Sequence, residues 1–179
     1  TLGKKPPKGT KILFGGKEAD RFSDGKKLDG ELLKEGVVSM DSFGDFTLHL
    51  EFRTPYKPKT KPGSQDRGNS GVYIFNNYET QILDSFGIKG EFNFCGALYR
   101  KKPPEVNMCL PPLAWQTYDI EFTTPRFKDG KKVKNARITT RHNGVLIHDD
   151  FELDKGTGAG GGRPEKEKGQ IHLQGHGNP

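Results

Sequence analysis

The stretch GDFTLHLEFR, Gly44–Arg53, decides the fold. Phe46, Leu48, Leu50 and Phe52 alternate strictly with Thr47, His49, Glu51 and Arg53, and a period of two is that of a β-strand. Large apolar groups on one face and polar groups on the other mean a sheet with one side on a core and one side wet or lining a groove. The same reading extends outward. Trp115–Thr124 places Tyr118, Ile120 and Phe122 opposite Thr117, Asp119 and Glu121. Ala136–His142 and Val145–Phe151 flank Asn143-Gly144, the strongest short-range hairpin signal in the chain. RGNSGVYIFNNYETQILDSFG, Arg67–Gly87, holds two β-rich runs, Gly71–Phe75 and Glu79–Leu83. They are joined by Asn76-Asn77-Tyr78, whose asparagines tolerate the positive φ of a tight turn. Gln170–Gln174 reads as a last strand with Ile171 and Leu173 inward. Lys11–Gly16, Glu31–Leu33, Val37–Met40 and Ala97–Tyr99 read as short ones. Arg126–Asn135 reads as a charged turn and Thr157–Gly162 as a flexible glycine loop. About ten short strands and no convincing helix predict an all-β, two-sheet antiparallel sandwich.

Whole-chain properties narrow the possibilities. A length of 179 residues suits one domain with a real core. The expected division is a mobile basic tail over 1–10 and a single domain over 11–179. The 24 glycines and 12 prolines, with a hydrophobic fraction of 31%, suit many turns rather than a helical bundle. No apolar run approaches the roughly 20 residues of a membrane helix, so membrane insertion is not expected. The net charge of +6 raises nucleic acid as a partner. The lysines, however, sit in loop-like clusters at Lys4–Lys11, Lys57–Lys61, Lys131–Lys134 and Lys166–Lys168, with no basic helix or RNA-binding signature. No nucleic-acid partner is expected. Cys95 and Cys109 lack zinc spacing. They are either two buried thiols or a disulfide closing a loop of about 15 residues, worth about 3 kcal/mol in the entropy view. The segment between them has little core of its own, which favours the disulfide and, with it, an exported protein.

Several strands carry polar residues in alternation on the face away from the core: His49/Glu51/Arg53, Glu79/Gln81, Asp119/Glu121 and His172/Gln174. These are either plain solvent faces or, on one curved sheet, a polar groove. With Tyr73, Tyr78, Tyr99 and Trp115 available, such a groove suits sugars, which offer hydroxyls to polar groups and C–H faces to aromatic rings.

The ordered set FGDFTLHLEFRTP, RGNSGVYIF, YETQILDSFG, CGALYRKKPP, WQTYDIEF, HNGVLIHDD and LQGHGNP resembles the 3-keto-disaccharide hydrolase domain family, from about Leu13 to Pro179. That resemblance implies a concanavalin A-like jelly roll related to laminarinase-type glycosidases and laminin-G lectin domains. It also implies action on glycosides oxidised to a ketone at C3, and an exported, periplasmic or extracellular, bacterial setting. The family's recurring polar positions fall on Glu51, Arg53, Arg67, Asn69, Ser70, Glu79, Gln81, Asp84, Tyr99, Gln174 and His176. One departure is the tryptophan usual after the Asp-Gly segment, replaced here by Leu32 or a neighbour. A Phe-Arg-Asn strand usual after the last His-Gly does not follow.

The chemistry stands apart from the resemblance. A C3 ketone acidifies the C2 proton. A base removes it, an enolate forms, and the C1 substituent leaves by β-elimination; water then adds at C1. Such a site needs a base near neutral pKa, an enolate stabiliser and an acid for the leaving oxygen. The catalytic candidates are His176, Glu79, Asp84 and Arg67, with His176 preferred over His172 as base and Arg53 as a second candidate for holding the enolate. Glu51, Arg53, Asn69, Gln81, Tyr99 and Gln174 are the substrate-binding candidates. No resident cofactor is called for. A divalent metal held by Glu79, Asp84 or a histidine is an alternative way to polarise the ketone, although no metal spacing marks the sequence. Two other readings stay open. One is a conventional glycosidase with paired carboxylates, for which Glu79-x-Gln81-x-x-Asp84 is similar to the laminarinase strand motif. On a straight strand Glu79 and Asp84 would lie about 16 Å apart at Cα, too far for the roughly 5–5.5 Å carboxyl gap of a retaining enzyme. The other is a non-catalytic carbohydrate-binding module.

Overall fold

The structure, a computed structural model, describes residues 2–23 and 28–177. Asp24–Lys27, Asn178 and Pro179, on which part of the sequence reading falls, lie outside them. Among the described residues twelve strands follow in chain order: β1 (Leu28–Asp29), β2 (Leu32–Leu33), β3 (Val37–Val38), β4 (Phe46–Phe52), β5 (Ser70–Ile74), β6 (Tyr78–Ile82), β7 (Gln116–Thr123), β8 (Arg126–Lys128), β9 (Lys131–Lys134), β10 (Ala136–His142), β11 (Val145–Leu153) and β12 (Ile171–Leu173). Two four-stranded sheets, β11-β10-β7-β4 and β3-β12-β5-β6, make the sandwich; β1-β2 and β8-β9 are separate hairpins. Every pairing is antiparallel. The expected all-β sandwich is what the chain forms.

The alternation of β4 packs as read. Phe46, Leu48, Leu50 and Phe52 join Tyr118, Ile120 and Phe122 against Val72, Ile74, Tyr78, Ile82 and Ile171 of the other sheet. Phe122 is the aromatic hub, its ring centroid 5.7 Å or less from those of Phe46, Phe75 and Tyr78. Asn143 and Gly144 take positive φ, as a two-residue hairpin turn demands.

Five local expectations differ. Ala97–Tyr99 forms no strand; only Leu98 makes isolated bridges, to Thr80 and Lys102, because the chain turns on either side of it. Lys11–Gly16 forms no strand; it stays irregular, with Leu13 laid on the core. The charged turn at Arg126–Asn135 is itself the β8-β9 hairpin, turning at Asp129 and Gly130, both at positive φ. In the β5-β6 turn the positive φ falls on Phe75 and Asn76, not on the two asparagines. Phe75 accepts that conformation because its ring is buried in the core and its amide donates to the Gln170 carbonyl at 2.9 Å. The glycine loop forms a 3₁₀ turn at Gly158–Gly162, packed so closely that a Cβ on Gly160 would sit 2.2 Å from the Asn77 carbonyl oxygen.

The disulfide expectation is also corrected. Cys95 and Cys109 are free, buried thiols, and the Cys109 thiol donates to the Leu83 carbonyl at 3.5 Å. The Cys95 sulfur also lies 3.2 Å from the Tyr118 hydroxyl. Burial pushes the Cys95 thiol up, which keeps it in the unreactive protonated form.

Two histidines are sealed in the interior. His142 Nε2 donates to Gln116 Oε1 at 3.0 Å and His148 Nε2 to the Gly96 carbonyl at 2.7 Å, while both Nδ1 atoms lack a hydrogen-bond partner. Burial lowers both to about 4. A histidine whose folded pKa lies below its unfolded value stabilises the fold fully above the unfolded pKa of 6.5 and loses that contribution as pH falls toward 4. Each is worth about 3 kcal/mol on that scale. The expected result is a denaturation midpoint that drops steeply from pH 6.5 to 4; a flat profile there would refute the assignment of both rings as buried and neutral.

Candidate active site

The polar face of the β3-β12-β5-β6 sheet is not a plain solvent face. His172 on β12, Tyr73 on β5 and Glu79 on β6 stand directly opposite one another across three strands. Strands about 4.8 Å apart put His172 and Glu79 about 10 Å apart at Cα. Glu79 is 2% exposed, and its Oε2 has no hydrogen-bond partner. Burial is the main cause that pushes its pKa up to about 7, with the neighbouring Tyr73 hydroxyl pulling weakly the other way. The Tyr73 and His172 rings are stacked with centroids 6.0 Å apart. Burial, and then the charge of Arg163, lower the His172 pKa, so its imidazole is neutral near pH 7.

A buried amide layer supports this row. The Gln81 amide lies between Gln65, Asn69 and the Asn93 carbonyl on one side and Glu79 on the other; with its nitrogen toward Glu79 it donates to Oε1 at 3.1 Å and to the Ser70 carbonyl at 2.7 Å. Ser70 in turn donates to the Gln174 carbonyl at 2.8 Å. The Thr157 hydroxyl accepts the Glu79 amide at 2.7 Å, and the Tyr99 amide donates to the Glu79 carbonyl at 3.1 Å. Gly71 lies opposite Gln81, and a Cβ there would fall 2.6 Å from Glu79 Oε1. The carboxyl is folded over the space that a side chain would take. Gly71→Ala should therefore keep the sandwich yet displace Glu79. A displacement on the order of 1 Å costs about 100-fold in turnover. Circular dichroism with steady-state kinetics would check it, and unchanged kinetics would show that the carboxyl position is not critical.

The sequence candidates fall into four groups. Glu79, Gln81, Asn69, Tyr99 and Gln174 are brought together, Gln81 and Asn69 beneath the row and Tyr99 and Gln174 at its edges. Gln174 is half-buried with an unpartnered Oε1. Arg67 and Asp84 bind each other: the guanidinium pairs with the buried carboxylate and donates to the Thr60 carbonyl at 2.7 Å and the Lys57 carbonyl at 3.3 Å. Their shared task is to tie the 57–67 loop to the end of β6. Glu51 and Arg53 lie on the outer face of the opposite sheet, because Phe52 between them points into the core. There Glu51 accepts the Gly3 amide at 2.6 Å and Arg53 lies 5.5 Å from the centre of the Trp115 ring. His176 is exposed, three residues past the end of β12, so the histidine on the Glu79 row is His172. Asp84 is committed to Arg67 and does not converge with Glu79, and no three His, Cys, Asp or Glu side chains among the described residues are grouped to hold a metal. Asp84 is therefore not available to the metal alternative.

Sequence reasoning named Tyr73 only among the aromatics available to a groove, and it missed Arg163. Tyr73 was legible, since strand pairing with Glu79 follows from the hairpin. Arg163, 91 residues after Val72 and outside any strand, carried no local signal.

A carboxyl group poised near neutrality beside a tyrosine and a neutral histidine, on the outer face of an antiparallel sandwich, defines a glycosyl hydrolase-like β-sandwich enzyme. The chain belongs to the family described as the 3-keto-alpha-glucoside-1,2-lyase-like domain, which it matches over residues 9–179. Solved structures of similar fold include three from Parabacteroides distasonis, each described as a "putative glycosyl hydrolase". The first has a TM-score of 0.75 at 28% identity, covering 94% of this chain and 77% of that one. The second, at 22% identity and TM-score 0.58, covers 94% and 92%; the third, at 18% and 0.62, covers 93% and 87%. These two show the fold alone. No curated protein matches the chain.

Proposed function

We propose that the protein cleaves 3-keto-glycosides by β-elimination, with Glu79 as the base that takes the C2 proton. The observation that carries this reading is the buried Glu79 carboxyl, raised to about 7 and with an oxygen left without a partner. A base of that strength is matched to a proton made acidic by an adjacent ketone at neutral pH. The C2–H electrons move into the C3 carbonyl, and the enolate then expels the C1 oxygen as C1=C2 forms. Arg163, exposed and with its guanidinium donating to the Asn76 carbonyl at 3.0 Å, is the cation whose charge bears on Tyr73 and His172, and we assign it to favour the enolate, a role that Arg67 and Arg53 cannot fill from their positions. The proton taken from C2 then sits on the Glu79 carboxyl, which passes it to the departing oxygen, directly or through the Tyr73 hydroxyl, and so returns to its basic form. Water adding across C1=C2 completes net hydrolysis. A paired-carboxylate glycosidase is less well supported, because Asp84 is tied up by Arg67.

The test is product analysis with a 3-keto-glucoside beside its unoxidised parent, with and without chelator. Aglycone release from the ketone alone, unaffected by chelator, is the expected result. Release from both substrates alike would return the paired-carboxylate reading, and binding without release would return the non-catalytic module.

A further inference from the structure

We propose that the depression beyond Tyr99 is a subsite for an anionic group on the aglycone, a carboxylate or a sulfate or phosphate monoester. The proposal rests on the reading of the Glu79 row as the place where a glycoside is cleaved. Arg100, Lys101, Lys155, Thr157 and Gly158 line a cavity of about 380 Å³, within the size range of small-molecule sites. It adjoins the row through Thr157, which lines it, and through Tyr99, on which its Gly158 wall packs. Thr157 holds the Glu79 amide through its hydroxyl at 2.7 Å. Tyr99 is bonded through its own amide to the Glu79 carbonyl, and its ring packs so tightly on Gly158 that a Cβ there would lie 2.6 Å from it. The Arg100 guanidinium lies 5.4 Å from the centre of the same ring.

The charges are unbalanced. Lys101 is paired with Asp154, the one carboxylate at this lip with an ion-pair partner in the cavity wall. Arg100 and Lys155 have no carboxylate within ion-pair distance among the described residues, and Lys155 reaches Asp154 only through the longer-range field. Arg163 adds a further positive charge on the side of Tyr73 and His172. Once the reacting ring occupies the row, the part of a glycoside that continues past it is the group attached at C1. On the far side of Tyr99 that group meets two unneutralised cations. An arginine fork beside an aromatic ring suits a planar or tetrahedral oxyanion on an aryl or glycosyl aglycone.

The experiment compares the 3-keto-glucosides of 4-nitrophenol and 4-hydroxybenzoate as substrates. It also measures binding of the two unoxidised glucosides by NMR titration. Two exposed ion pairs should give the carboxylate compound about a fivefold advantage in both affinity and kcat/KM. That advantage should shrink toward one at high salt. The Arg100→Ala/Lys155→Ala double variant should abolish it while leaving the neutral substrate unchanged. If neither ketone is cleaved but the carboxylate glucoside binds more tightly in a salt- and variant-sensitive way, the cleavage reading falls and the anion subsite stands. If both ketones are cleaved at equal kcat/KM and the carboxylate brings no gain in binding, the subsite proposal is overturned and the cleavage reading stands.

Discussion

Glu79→Gln should lower kcat on 3-keto-glycosides by about 10²–10⁴, the range for removing a general base, with the sandwich intact. Glutamine keeps the shape and can still meet Gln81 and the space above Gly71, so lost turnover reports lost proton transfer rather than lost packing. In the native protein the base works only when ionised. The kcat/KM profile should therefore rise with pH and level off above about 7, where the Glu79 carboxyl has lost its proton. The variant should show no such limb. Stability gives a second, independent readout. A carboxyl whose folded pKa is raised contributes fully below its unfolded value of 4.5 and loses that contribution as pH rises to about 7. The loss is about 3 kcal/mol, and it opposes the two buried histidines, which gain over nearly the same window. Two histidines outweigh one carboxyl, so the native protein still gains stability from pH 4.5 to 7. Glu79→Gln should steepen that gain. A variant with full turnover and an unchanged stability profile would remove Glu79 from the mechanism.

Arg67→Ala should destabilise the fold by about 3–5 kcal/mol, the cost of leaving a buried charge without its partner. Asp84 is 1% exposed, and the guanidinium that neutralises it also caps the Lys57 and Thr60 carbonyls. Removing the arginine strands the carboxylate and two loop acceptors together. Asp84→Ala added to Arg67→Ala should recover part of the loss, because the double variant buries no unpaired charge. Denaturant titration of the four proteins closes the cycle. An Arg67→Ala protein as stable as the native one, but with reduced kcat, would instead make Arg67 an enolate stabiliser.

Much of this protein was legible in the chain because β-structure is written with a period of two. The alternation of Phe46–Phe52 and the Asn143-Gly144 turn led directly to the sandwich. The Glu79/Gln81 pair was legible as a shared face for the same reason. The periodicity says which residues share a face, but not which sheet that face belongs to. Glu51 and Arg53 look equivalent to Glu79 and Gln81 by pattern, yet pairing of β4 with β7 puts them on the far side of the molecule. Partner choice was equally hidden. Only the folded chain brings Arg67 onto Asp84, Thr157 onto the Glu79 amide 78 residues away and Arg163 toward His172. The alternation set the sheets, whereas the raised pKa of Glu79 and the lowered pKa of His172 were decided by burial, a property of everything packed around them and of no local stretch of sequence.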